Sequence, residues 1–256
     1  MFFDSHAHHD DRRFDKDRDE ILSSMKENGV GYILNAGCDI EGTKRCIALA
    51  ESYDFLYASA GIHPGSVRGG VTEAEYDAIR LLASHEKVVA IGETGLDYHY
   101  DGYLEEEQKA SFSRQIEIAK ELDLPIVIHS RDACRDTLDI LKSDYKGTGG
   151  VWHCFGESVE TAKVALNMGL SFSIGGTVTF SNNRRAVEAV EYIPLSNILL
   201  ETDAPYLAPT PYRGKRNSSL YVHLVAEKIA EIKGISPEEV ENATTENAKN
   251  LFKIAD

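Results

Sequence analysis

The chain has 256 residues, 42% of them hydrophobic and 27% charged, with a formal net charge of −15. Such a length buries a core without staples, and such a charge excludes broad, non-specific duplex binding, which needs a basic surface. No apolar run approaches the roughly 20 residues that cross a bilayer, so no membrane association is expected. The amino terminus lacks the charged-then-apolar layout of a signal peptide, which predicts a cytoplasmic chain.

The first nine residues, Met1-Phe2-Phe3-Asp4-Ser5-His6-Ala7-His8-His9, begin as a short apolar run. On a strand, His6 and His8 leave from one face and His9 turns to the other. Two neutral imidazoles so placed are a start for holding zinc, nickel or iron. Further runs rich in β-branched and aromatic residues follow at 32–36, 56–61, 88–92, 126–129, 150–153, 170–175 and 198–201, which makes eight strands with the first at 2–5. Helical periodicity fills the spaces between them, over 18–28, 40–52, 72–84, 104–122, 132–142, 158–167, 184–193 and 220–233. Thr72 followed by Glu75 reads as a capping box. A last helix opens at Ser236-Pro237 and runs towards Leu251 and Phe252.

Eight alternating strand and helix units predict a parallel (β/α)8 barrel. A doubly wound open sheet usually carries a glycine-rich phosphate loop after its first strand, and none is present. Without linkers or low-complexity tracts, residues 1–256 read as one domain. Cys38, Cys46, Cys134 and Cys154 form no C-x-x-C pair and read as reduced, partly buried residues. Cys154, next to His153, is expected to face the core, because neighbours on a strand point oppositely.

A barrel carries its chemistry at the carboxyl ends of its strands. At those ends stand six residues of metal-binding type: His6, His8, Glu93, His129, His153 and Asp203. A single histidine there is often a hydrogen-bonded packing residue. Six titratable groups buried together on one rim need a stronger reason. Four neutral imidazoles and two carboxylates supply two negative charges, short of the four that two divalent ions carry, so a hydroxide and an anionic substrate complete the balance. Six ligands on one ion would leave little room for chemistry. Dividing them between two ions with Glu93 as the bridge keeps positions open, and a single ion is the alternative. Water on such an ion ionises near neutral pH and needs no serine or cysteine nucleophile. Metal charge inside a cleft also lets an acidic protein accept a nucleic acid, and Arg213-Gly214-Lys215-Arg216 forms one basic loop.

Ile91-Gly-Glu-Thr-Gly-Leu-Asp-Tyr98, Ile128-His-Ser-Arg-Asp-Ala133, His153-Cys-Phe155, Glu201-Thr-Asp-Ala-Pro-Tyr-Leu207 and Arg213-Gly-Lys-Arg-Asn217 resemble, in order, the signature blocks of the TatD family. These are metal-dependent deoxyribonucleases of the amidohydrolase superfamily. The resemblance implies a barrel with two metal positions, one at His6, His8, Glu93 and Asp203 and the other at Glu93, His129 and His153. It implies phosphodiester hydrolysis, often from the 3′ end, by a metal-activated hydroxide on single-stranded DNA or other nucleic-acid ends, with no obligate protein partner. Histidine-rich ligation suits manganese, zinc, nickel or iron better than magnesium. Asp203 and Glu93 are the expected catalytic groups, Asp203 taking the proton of the water. His63 and Arg131 are the expected phosphate contacts. Asp4 is placed to orient an imidazole, and Tyr98, His99, Tyr100 and Tyr206 to stack on bases.

The chain departs from the family pattern in two loops. Gly156-Glu157 stands where Ser-Gly is usual, and Ser218-Ser219 where a Glu-Pro type pair is common. Both changes bear on substrate preference. The competing expectations are a hydrolase of another ester or amide, such as an aminoacyl-tRNA deacylase, and a non-catalytic barrel whose metals only hold a binding surface.

Overall fold

The computed structural model describes residues 1–67 and 69–255. Eight strands lie side by side in chain order, each parallel to its neighbour: β1 (Phe2–Ala7), β2 (Val30–Asn35), β3 (Leu56–Ala60), β4 (Val88–Asp97), β5 (Ile126–Arg131), β6 (Gly150–Trp152), β7 (Ser171–Ile174) and β8 (Ile198–Leu200). The ring is completed by the segment after β8. Ala204 bridges Ala7, His8 N–H donates to Ala204 O at 2.7 Å, and Asp203 N–H donates to His6 O at 2.9 Å. The same closure sets Asp203 beside the histidines of β1.

Between and after the strands run α1 (Arg18–Ser24), α2 (Ile40–Ser52), α3 (Glu73–Ala83), α4 (Glu105–Leu122), α5 (Cys134–Asp144), α6 (Val159–Asn167), α7 (Arg184–Tyr192), α8 (Val222–Lys233) and α9 (Pro237–Phe252). The box expected at Thr72 is present, and the start expected at Ser236 is a box as well, each hydroxyl accepting the N–H three residues on while the Glu there answers the cap's own N–H. No helix among the described residues is long and apolar enough to cross a membrane.

The barrel interior is layered. Its floor is apolar: Phe3, Leu34, Val127, Val151 and Leu199 pack on Ala248 and Phe252 of α9, which caps the amino-terminal end. Higher up the lining becomes polar, where Ser5 and Ser173 share a hydrogen bond at 2.6 Å and Glu201 is fully buried. The carboxyl-terminal rim opens to solvent.

Element bounds differ in places from the reading of the sequence. The helix expected over 18–28 ends at Ser24, continues as a 3-10 turn and stops at Gly29 with φ +82°. The fourth strand runs on to Asp97 and does not stop at Gly92. At Gly95, with φ +145°, a Cβ would overlap the carbonyl oxygen of His129, so only glycine lets β4 lie this close to β5. β6 ends at Trp152, one residue before His153.

Candidate metal centre

Glu93, 3% exposed, stands at the middle of the rim. Its two oxygens face different histidines. Oε1 lies 2.6 Å from His129 Nδ1 and 3.0 Å from His153 Nε2. Oε2 lies 3.4 Å from His6 Nε2 and 3.7 Å from His8 Nε2. Asp203 Oδ1 closes the second side, 3.5 Å from His8 Nε2 and 3.9 Å from His6 Nε2. The structure thus brings all six expected residues to one place, from β1, β4, β5 and the segments just past β1, β6 and β8.

This arrangement fits a divalent cation. His6 Nε2 and His8 Nε2 are 3.2 Å apart, and His129 Nδ1 and His153 Nε2 are 3.3 Å apart. Two neutral imidazoles meeting nitrogen to nitrogen can share only one proton, while a cation between them satisfies both lone pairs. Neutral nitrogen and carboxylate oxygen, largely shielded from water, are the donors that such ions take. Burial by itself would raise the Glu93 carboxyl. The imidazoles of His153, His63 and His6, with the hydrogen bond to His129, outweigh it and hold the group well below the usual carboxylate range. Asp203 is lowered in the same way, burial being overcome by its contact with His8.

His9 turns away as expected. It is fully buried, shares a 2.8 Å hydrogen bond with Ser219 Oγ and packs on Phe14. Burial, then the charges of His8, Arg18 and Arg216, push it down to about 3. His63 sits on the turn after β3. Its Nδ1 accepts the N–H of Gly65 at 2.9 Å, so its proton is on Nε2, which points into the cleft 3.7 Å from Glu93 Oε1. Arg131 stands exposed on the rim above β5 and donates to Tyr100 Oη at 3.3 Å. Its neighbour Asp132 pairs with His99 instead, at 2.8 Å. Both His63 and Arg131 line the cleft, whose volume is about 930 Å3.

Other expectations need correction. Asp4 contacts no imidazole directly: its oxygens take the Thr202 hydroxyl at 2.5 Å, the Thr202 N–H at 3.0 Å, the backbone N–H of His6 at 3.3 Å and the side chain of Ser219. It ties the ends of β1 and β8 together. Cys154 lines the cleft and not the core, because the chain leaves β6 at Trp152 and strand alternation no longer applies. The chain turns there with φ +48°. Of the four aromatic candidates, Tyr98 is spent on packing, stacked on Tyr103 and bonded to Asp136, and His99 on Asp132. Tyr100 and Tyr206 do line the cleft. In the basic loop, Arg216 is bound to Asp17 at 2.6 Å and to Arg13 O at 2.7 Å, and Arg213 lies over Phe180 at 4.3 Å.

Three side chains at the site went unassigned in the sequence. Asp97 Oδ2 lies 3.3 Å from His129 Nε2, and Glu201 Oε1 lies 3.6 Å from His153 Nδ1 while accepting the Cys154 N–H at 2.9 Å. Each backs an imidazole on the side away from Glu93, the usual place for a carboxylate that fixes a metal-ligating histidine. Both belong to motif blocks at strand ends, so a signal existed. Cys38 Sγ lies 3.8 Å from both His8 Nδ1 and Glu93 Oε2, and nothing in its sequence surroundings marked it.

Residues 3–253 match the family model described as TatD related DNase. A protein of Bacillus subtilis named as an uncharacterized metal-dependent hydrolase, YabD, is 46% identical over 255 residues, 99% of this chain and all of that one. A protein of Salmonella typhimurium named 3'-5' ssDNA/RNA exonuclease TatD is 35% identical over 250 residues, covering 94% of this chain and 95% of the other. The crystal structure of the Escherichia coli TatD homologue YJJV superposes with a TM-score of 0.93 at 31% identity, covering 99% and 98% of the two chains.

Proposed function

Because the chain belongs to the TatD family of metal-dependent hydrolases, we propose that it is a nuclease removing nucleotides from the 3′ ends of single-stranded nucleic acid, with two divalent ions that His6, His8, Asp203 and Glu93 on one side and His129, His153 and Glu93 on the other would hold. The observation that carries this reading is the division of the histidines between the two oxygens of one buried carboxylate, His129 and His153 on Oε1, His6 and His8 on Oε2. The substrate class is supported by the single-strand exonuclease named for the Salmonella relative. A histidine-rich donor set favours manganese, zinc, nickel or iron over magnesium.

When bound, the ions supply a water that ionises near neutral pH and positive charge for the phosphoryl oxygens. The chain's own groups do the rest. Asp203, within reach of the same ligands, accepts the proton of the attacking water. His63 donates its Nε2–H to a phosphoryl oxygen, and Arg131 forks onto the phosphate from the rim. Asp97 and Glu201 keep the His129 and His153 rings in place. The whole chain, 1–256, acts as one unit. We place it in the cytoplasm, a reducing compartment that agrees with four free cysteines.

The test uses metal-reconstituted protein with end-labelled single-stranded DNA and RNA and, separately, an aminoacyl-tRNA. Mononucleotides should be released stepwise from the 3′ end, and Glu93→Ala should abolish their release. Cleavage of the aminoacyl ester alone would instead identify a deacylase using the same site.

A further inference from the structure

A second hollow opens off the wall of the main cleft, between the turn after β3 and the loop after β4. It encloses about 150 Å3, the room of roughly five liquid waters. His63, Asp97 and Tyr100 line both spaces, so it is a side chamber of the cleft. Pro64, Tyr103 and Leu104 make its other walls largely apolar. Tyr100, Tyr103 and Leu104 are 66%, 41% and 38% exposed, a concentration of apolar surface on one short loop of an acidic protein.

These walls are braced. Tyr103 stacks on Tyr98 with centroids 4.6 Å apart, and the Tyr98 hydroxyl donates to Asp136 at 3.0 Å. The Arg131 guanidinium lies 5.3 Å from the centre of the Tyr100 ring. The cation assigned to the phosphate and the ring that walls the chamber therefore stand together. Gln108, at the chamber's inner end, has its amide committed at both ends: Oε1 accepts the Asp97 N–H at 2.8 Å and Nε2 donates to Asp97 O at 3.0 Å. The amide at that end is held against the Asp97 backbone, and ring stacking tolerates every base.

We infer that this chamber seats the base of the strand's terminal nucleotide against Tyr100, with the phosphate joined to that nucleotide at His63 and Arg131. The inference rests on the nuclease reading and adds the reason that cleavage starts at an end. A space of about 150 Å3 holds one planar ring system, while the continuing strand leaves through the cleft of about 930 Å3. In each turnover the oxygen of water bonds to phosphorus, and the bond from phosphorus to the 3′ oxygen of the preceding nucleotide breaks. That oxygen takes up a proton, so a 5′-mononucleotide leaves and the shortened strand ends in a 3′ hydroxyl.

Manganese-loaded full-length protein is given single strands that differ only in their 3′ residue, natural or abasic, and a third strand with the abasic residue well inside. The terminal abasic residue should lower kcat/KM roughly tenfold, and the internal one should leave it unchanged. All four natural terminal bases should be removed at similar rates. Tyr100→Ala should slow the natural strand to the abasic rate and erase the difference, and Tyr100→Trp should restore it. Calorimetry supplies a readout apart from turnover: a nucleoside 5′-monophosphate should bind wild type more tightly than deoxyribose 5-phosphate, and Tyr100→Ala should bind the two equally. Equal handling of natural and abasic ends by wild type, or a base preference that survives Tyr100→Ala, overturns the chamber while strand cleavage still upholds the nuclease. If no strand is cut but the Tyr100-dependent binding preference is found, the nuclease reading fails and the base site stands.

Discussion

At the scale of single residues, the centre depends on a carboxylate that four imidazoles surround. Glu93→Gln keeps the shape and removes the charge, so it should strip bound manganese and lower turnover by roughly a thousandfold or more, as expected when several kcal/mol of metal stabilisation is lost. Metal analysis after gel filtration reads the first effect. Glu201→Gln and Asp97→Asn should act through His153 and His129, the rings these carboxylates back. Each should weaken metal affinity by roughly ten- to a hundredfold, with activity recovered at high manganese. A loss that added metal does not restore would mean that these carboxylates do something else. His9 makes a pH prediction. Burial and neighbouring positive charge push it from its ordinary 6.5 to about 3, so the folded state prefers it neutral. Its contribution is complete above pH 6.5 and is lost as pH falls towards 3. In chelated protein, the stability of His9→Gln measured by urea unfolding should fall less steeply between pH 6.5 and 4 than that of wild type. Equal slopes would show that His9 does not titrate there.

At the scale of elements, β4 governs the site, because it carries Glu93 inside the strand and Asp97 at its end. Its close approach to β5 depends on Gly95, where a side chain would strike the His129 carbonyl. Gly95→Ala should cost several kcal/mol through overpacking and a disfavoured φ, and surviving folded protein should bind metal poorly because His129 is displaced. Thermal unfolding with and without manganese separates the two effects. The same strand shows where reading the sequence succeeds and fails. The alternation of short β-branched runs with capped amphipathic helices made all eight strands legible, since period and caps are local properties. Gly92 reads in the sequence as the end of β4, yet Gly92 and Gly95 are what lets the strand continue beside β5, because only the neighbouring strand decides between a break and a close contact. His6 and His8 were legible from their spacing, and His129, His153 and Asp203 from their places at the ends of expected strands. Cys38 was not, since its place beside His8 follows from the pairing of β1 with β2, a tertiary contact that no local pattern encodes. Cys154 was misjudged because β6 ends one residue early.

At the scale of the molecule, an apolar floor sealed by α9 supports a polar upper layer and an open rim. The six side chains that meet at the rim come from strands all round the ring, so ions held there would clamp it closed. Removing them with a chelator should lower Tm, and restoring manganese should raise it with concentration, following the linkage of binding to folding. A Tm insensitive to metal would place the ions outside the rim. Two ions sharing the Glu93 carboxylate would couple their spins. Low-temperature electron paramagnetic resonance of manganese-reconstituted protein tests that sharing most directly. Two equivalents bound per chain with an exchange-coupled spectrum is the predicted result, and a single equivalent giving the six-line pattern of an isolated ion would contradict it.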